Sequence, residues 1–383
     1  MNRIPGLDTL RAIAIAWVML FHSYIVGGLG GGFSKLEYSG WMGVDLFFVL
    51  SGYLIGTQVL RSLKSSGSID FAAFYRRRFV RILPAFFVVL ALYACWPAWR
   101  ETPGMQPLWQ FPTFTFNLLF DKGDNVAFSH VWSLCVEEHF YLVFPWLAWL
   151  LTRRPSAWKF VSACLLVVLG GMLLRASLWS AWLGPARDAG EPYGLIYLRY
   201  LYYPTWSRLD GLVAGVGLAA CGIYRPGWMA WLHARVATVL TVSLAALGAC
   251  IVLFDGERAG FWPCVIGYPL LSLAMAGLVV ASTGPTWLAR LKVPGAGWLA
   301  GTSYSLYLCH KGMFHLTEMM LGDALAGHRF VRFGIYVVVT LTGGALLHYV
   351  VERPALRWRD RSGVGRRAGR SGVGDVVRGS GGI

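Results

Sequence analysis

Ten separate apolar runs, each close to the length of a bilayer crossing, leave this chain few folds. They cover 7–27, 41–60, 82–99, 131–151, 160–182, 201–222, 236–254, 261–282, 298–320 and 331–352. At a helical rise of about 1.5 Å per residue, a run of about twenty residues matches the roughly 30 Å of bilayer hydrocarbon. Inside hydrocarbon a helix satisfies its own backbone hydrogen bonds, which irregular chain does not. The expected fold is all-α: a polytopic integral membrane protein of about ten transmembrane helices with both termini on one side. A mean hydropathy of +0.54 excludes a soluble globular chain.

The net charge of +15 raises the question of a nucleic-acid partner, and the placement of the basic residues answers it. With the N-terminus inside, 22 Lys and Arg fall in 1–6, 61–81, 152–159, 223–235, 283–297 and 353–383, against seven in the opposite loops. This is the positive-inside pattern. It places both termini in the cytoplasm and the protein in the cytoplasmic (inner) membrane, and it implies no nucleic acid. Residues 1–356 read as one transmembrane domain. Residues 357–383 form a basic Gly/Ser/Arg-rich tail with too little apolar surface to fold. In the outer loop 100–130, FPTFTFNLLF is expected to pack as a short or re-entrant segment. The seven cysteines are scattered without CxxC spacing, so no metal site and no disulfide framework is expected. The first run carries Arg11 and lacks a small-residue cleavage site, so it reads as a span and not as a leader.

Ionisable residues inside spans are costly and mark function by default, the alternative being a structural ion pair or a side chain reaching to the interface. Arg11 lies near the inner end of the first run, and His22 is ~16 Å further along it. Glu137 and Glu138 lie ~9 to 11 Å below the outer surface in the fourth run. Arg208 and Asp210 fall ~10 to 14 Å below it in the sixth, and His310, followed by Lys311, is about 18 Å along the ninth. Four helices thus bring polar groups to one depth, which suggests a chamber. Asp45 is shallower and either pairs with a chamber arginine or meets interfacial water.

On the inner side, YRRRFVRILP places Arg78 and Arg81 three residues apart on one helix face at the mouth of the third run. Such a pair suits phosphate oxygens, although ordinary positive-inside anchoring explains it too. A phosphate clamp inside and a His/Glu chamber deeper in suggest a long, thin, phosphorylated substrate, the shape of a coenzyme A thioester.

These residues together resemble the acyltransferase-3 family of bacterial membrane O-acyltransferases over residues 3–356. GLDTLRAIAIAWVMLFH matches an Arg-x10-His pattern at Arg11 and His22, and RRFVRILP matches Arg-x-x-Arg at Arg78 and Arg81. HVWSLCVEEHFYLVFP is similar to the family's Trp-Ser-Leu-Ser-Val-Glu-Glu-Gln-Phe-Tyr run, and GVDLFFVLSGYLIG, SRLDGLVAG, GTSYSLYLCH and YVVERP follow the same order. Cys135, His139 and Cys309 depart from the usual residues. The resemblance implies transfer of an acyl group from cytoplasmic acyl-CoA, acetyl-CoA in the first instance, to a hydroxyl of a cell-surface glycan or glycan precursor.

In that reading His22 is the general base and Glu138 or Glu137 orients it, Glu138 being slightly favoured. Arg11, Arg78 and Arg81 bind the donor. Arg208, Asp210, His310, Lys311, Asp45, Trp132 and Tyr304 are the candidate substrate contacts, Arg208 and Lys311 also as oxyanion donors, although Trp132 reads equally as an interface anchor. Glu352, Arg353 and Pro354 read as the end of a span. A small-molecule acceptor, an acyl-His22 intermediate, and a transporter of an anionic or sugar-linked lipid are the alternatives.

Overall fold

The computed structural model describes residues 4–26, 34–121 and 123–361. It is helical, with no strand among the described residues. The helices that frame it are α1 Pro5–Val26, α2 Gly43–Ser66, α3 Phe71–Cys95, α4 Trp132–Thr152 and α5 Ala157–Leu178, then α6 Asp210–Tyr224, α7 Val236–Gly256, α8 Tyr268–Ala281, α9 Ala296–Leu321 and α10 Arg329–Leu347. Seven helices among the described residues are long and apolar enough to cross a membrane: α2 to α5, α7, α8 and α10, several of them with short continuations. α6 is apolar but shorter. α1 and α9, the other two, carry His22 and His310.

Successive long helices run antiparallel. At one end Lys64 of α2 donates to the carbonyl of Ile223 on α6, and Gly6 of α1 abuts Ala289 ahead of α9. At the other end Arg258 donates to the carbonyl of Tyr38, and Lys35 pairs with Asp255. The outer surfaces of α5 and α7 are apolar, with Leu166 and Val252 being 74% and 73% exposed. Such surface belongs against lipid.

Small residues set the closest contact. Gly52-x3-Gly56 on α2 faces Gly211-x3-Gly215 on α6. A Cβ on Gly52 would stand 2.1 Å from the carbonyl oxygen of Leu212, and one on Gly215 would stand 2.2 Å from that of Val49. Small residues let helix backbones touch in this way where apolar burial gives no advantage over lipid.

Three boundaries differ from the sequence expectation. α3 begins at Phe71, capped by Asp70, whose carboxylate accepts from the Ala73 N–H, so Arg78 and Arg81 lie within the helix and not at its mouth. The sixth run is broken: a wide π-type turn at Tyr197–Tyr202 and a 3-10 turn at Thr205–Ser207 precede α6, with Pro204 between them. Pro354 does not end the last span. A wide turn at His348–Glu352 leads without a break into α11, Arg353–Arg361, which carries Pro354 in its first turn. The segment expected to be unstructured from residue 357 is therefore helical through Arg361, and its remainder, 362–383, lies outside the described residues.

The loop after α3 makes short turns at Leu108–Gln110 and Phe116–Leu119, and buries Phe111, Phe116, Phe120 and Phe128. Phe128 has φ +61°, the left-handed region that a bulky residue adopts only under constraint. Its ring stacks on Tyr93 at 4.3 Å, and its N–H donates to Glu101. The chain then turns directly into Ser129 and His130.

Candidate active site

α1 packs against α9, and their polar faces meet at two histidines. His22 Nδ1 lies 3.0 Å from the Val18 carbonyl oxygen and 3.0 Å from His310 Nε2. A carbonyl only accepts, so the His22 proton is on Nδ1. His310 Nδ1 lies 2.8 Å from the Tyr307 carbonyl oxygen and 3.2 Å from that of Leu306, so its proton is on Nδ1 as well. Nε2 of His310 therefore accepts from His22, and Nε2 of His22 is left with a free lone pair. Each tautomer is set by the helix that carries the ring.

The expectation that Glu138 or Glu137 orients His22 is corrected here, because the ring partner of His22 is His310. The main neighbours of α1 are α9 and α2, while α4 packs on α2. Glu137 instead accepts from Ser51 Oγ at 3.0 Å and from Tyr141 Oη at 2.7 Å. Glu138 Oε1 is buried with no hydrogen-bond partner.

Both glutamates belong to a polar seam. Ser133, Glu137 and Tyr141 repeat at helical spacing along α4, and Tyr304, Tyr307 and His310 do so along α9. Ser133 Oγ and Tyr307 Oη are 2.5 Å apart, and Tyr307 Oη donates to the His130 carbonyl. Tyr304 Oη donates to the Ile82 carbonyl of α3 at 2.8 Å. At the other end of the seam Arg78 donates to Gln58 Oε1 at 3.1 Å and lies 5.5 Å over the Tyr141 ring. The seam thus joins the arginine end to the histidine end. Arg11 makes a 3.8 Å pair with Asp8 one turn earlier on α1.

The remaining charges of the polar layer neutralise one another. Arg208 grips Asp45 with contacts of 2.8 and 2.9 Å, and Tyr268, Tyr202 and Trp132 surround its guanidinium at 4.2, 4.7 and 5.1 Å. Asp210 takes a forked pair from Arg175 at 2.8 and 3.2 Å. All four charged side chains are buried, so the two pairs act as structural ties among α2, α5, α6 and α8, with Trp132 of α4 packed on the Arg208 guanidinium. Lys311, the other expected oxyanion donor, pairs with Glu101 at 2.6 Å and reaches Ser129 Oγ at 3.2 Å.

A third imidazole was not anticipated. The ring of His130 lies 5.0 Å from that of His310 and 6.3 Å from that of His22. Hydropathy puts it one residue outside the fourth run, where a histidine carries no insertion cost and raises no flag. Its place in HVWS was the one available signal. The three rings are not placed to hold a metal ion among the described residues.

A family model for an acyltransferase domain, acyltransferase-3, matches residues 4–349. The chain belongs to the acyltransferase-3 family. Among curated relatives, peptidoglycan O-acetyltransferase OatA of Listeria monocytogenes is 26% identical over 344 residues, covering 83% of this chain and 50% of the relative. A putative O-acetyltransferase of Staphylococcus aureus is 26% identical over 94% of this chain and 59% of its own length. The putative peptidoglycan O-acetyltransferase YrhL of Bacillus subtilis is 24% identical over 92% and 54%. The chain therefore spans about half the length of the curated relatives it matches. No solved structure matches it.

As an acyltransferase-3 protein it is a multi-pass membrane protein. The family match runs through both histidine helices and the whole seam. The residues that depart from the usual pattern sit in ordinary surroundings: His139 Nδ1 is 2.7 Å from Thr205 Oγ1, fastening α4 to the turn before α6, and Cys135 and Cys309 are buried thiols.

Proposed function

We propose that the chain transfers an acetyl group from acetyl-CoA to a hydroxyl of a cell-wall glycan or its precursor, with His22 as general base. The observation that carries this reading is the tautomer of His22. With Nδ1–H committed to Val18 and His310, the free Nε2 lone pair is what a base needs to take a hydroxyl proton. His310, neutral and accepting at Nε2, supports the charge that then forms on His22.

In this mechanism the acceptor O–H gives its proton to His22 Nε2 while its oxygen attacks the thioester carbonyl. Collapse of the tetrahedral intermediate breaks the C–S bond, and the thiolate takes the proton back from His22. One ester forms and one thiol is released. Arg78 and Arg81 hold the donor phosphates at the inner end, and the pantetheine arm follows the seam past Tyr304 and Tyr307. The donor identity rests on that geometry, and the acceptor class on the relatives named as peptidoglycan O-acetyltransferases. The same reading takes ten crossings of the cytoplasmic membrane with both termini in the cytoplasm, as the charge distribution requires.

The test is purified protein in lipid nanodiscs with acetyl-CoA and a soluble N-acetylglucosamine oligosaccharide. The expected result is acceptor-dependent thiol release and an ester on the sugar, both lost in His22→Ala. Full turnover by His22→Ala would overturn the role of His22, and thiol release without an esterified sugar would overturn the acceptor.

A further inference from the structure

His130 is 3% exposed and uses its two nitrogens unequally. Nε2 lies 3.1 Å from the Leu308 carbonyl oxygen, so it carries the proton and donates. The neutral ring then has a lone pair on Nδ1, and that buried atom has no hydrogen-bond partner among the described residues. Buried polar atoms are ordinarily paired. The neighbours that lie closest are already committed: Tyr307 Oη donates to the backbone oxygen of His130, and both nitrogens of His310 are used. Lys311 is turned to Glu101 and Ser129.

The backbone holds the ring firmly where it is. Phe128 in its left-handed conformation, the Nε2 bond to Leu308 and the Tyr307 bond all fix His130 against the turn of α9 that carries His310. The nearby Tyr93, its ring 6.4 Å from that of His130, turns its hydroxyl to Glu101. An acceptor is thus unfilled beside the catalytic pair. An ionised carboxylate or phosphate offers no proton to Nδ1, whereas a sugar edge brings a hydroxyl or amide N–H that donates to it.

We propose that His130 is a specificity-determining contact for the acceptor: its Nδ1 takes a hydrogen bond from a hydroxyl or amide N–H neighbouring the hydroxyl that His22 deprotonates. The enzyme then prefers an acceptor with two adjacent polar hydrogens over a simple alcohol. This inference rests on the proposed acetyl transfer.

Two variants separate the nitrogens. His130→Gln keeps a donor at the Nε2 position for Leu308 and loses the acceptor at Nδ1, while His130→Asn keeps an acceptor near Nδ1. With the N-acetylglucosamine acceptor, His130→Gln is expected to lose about 10-fold or more in kcat/KM, mainly through acceptor KM, because a buried site built to hydrogen-bond a hydroxyl discriminates through that bond. His130→Asn retains most of the activity. With deoxy analogues lacking a neighbouring hydroxyl, wild type falls to the level of His130→Gln on at least one analogue, and the variant falls no further on it. Thermal unfolding of both variants shows that they are folded. Equal losses on every acceptor, a rise in donor KM instead of acceptor KM, or wild-type activity in His130→Gln overturns the proposal. Sugar binding without donor is measured alongside by saturation-transfer NMR. Binding lost in His130→Gln, in a protein that never acetylates, would leave this contact standing and overturn the function.

Discussion

His310 Nε2 lies 3.0 Å from His22 Nδ1, on the side of the ring away from the free nitrogen. In a Ser-His-Asp arrangement an anion holds the equivalent N–H; here the holder is a neutral imidazole, whose own proton is tied to two helix carbonyls. His310→Ala removes the acceptor and leaves the His22 ring held by Val18 alone. A loss of about 100-fold in kcat is expected, in the range that a positioned acid-base partner contributes, with donor KM little changed. His310→Gln places an amide oxygen near the same point and should recover part of that loss. Steady-state kinetics on the three proteins decide it, and equal activity of the Gln and Ala variants would count against hydrogen-bonded support.

The Arg208–Asp45 pair gives an opposite expectation. Removing one member of a buried ion pair leaves the other uncompensated, at a cost of about 3–5 kcal/mol. Arg208→Ala and Asp45→Ala should therefore lower thermal stability in detergent and the yield of inserted protein. Whatever enzyme does fold should retain its acceptor KM. A selective rise in acceptor KM with unchanged stability would return Arg208 to the substrate site.

These two cases show what was legible in the sequence and what was not. The insertion cost of a charge identifies His22, His310, Arg208, Asp210 and Asp45 alike as exceptions. It does not say which of them is satisfied by a neighbour, because that depends on how α2, α5, α6 and α9 pack. Arg208 and His22 look equally exceptional in the sequence, yet one is held in a buried ion pair with Asp45 and the other has a free nitrogen. The hydroxyls of Ser133, Tyr307, Tyr141 and Ser51 carry almost no hydropathy signal and were missed, although they make the seam. The all-helical, membrane-spanning architecture followed from the apolar runs, although seven of the described helices, against ten runs, are long and apolar enough to cross. Their ends did not, since Asp70, Pro204 and Pro354 act through local capping and turn geometry.

Arg78 offers a test of the donor end. Its planar fork reaches Gln58 and covers the Tyr141 ring, a geometry that a lysine ammonium does not reproduce. Arg78→Lys keeps the charge and should raise KM for acetyl-CoA by roughly 10-fold with little change in kcat, the signature of lost uniform binding. Titration with dephosphorylated coenzyme A analogues checks the cause. If the variant discriminates between phosphorylated and dephosphorylated donors as wild type does, Arg78 is not a phosphate contact.

The Glu101–Lys311 pair ties the loop after α3 to the helix that carries His310. Burial raises the Glu101 carboxyl, but the Lys311 ammonium at 2.6 Å and hydrogen bonds at the site outweigh it and hold Glu101 below its ordinary range. A depressed folded value means that the pair contributes fully above the unfolded carboxylate value of about 4.3. The contribution is lost only as pH falls through the lower folded value. Proteolysis of the loop after α3 should accordingly stay slow down to that unfolded value and accelerate below it. Glu101→Gln cannot ionise, so its loop should be cut faster at neutral pH and show little further change on acidification. Because Phe128 N–H also bonds Glu101, the variant should loosen the turn leading into His130 as well. A loop in Glu101→Gln as resistant as wild type at neutral pH would show that the pair does not hold the loop in place.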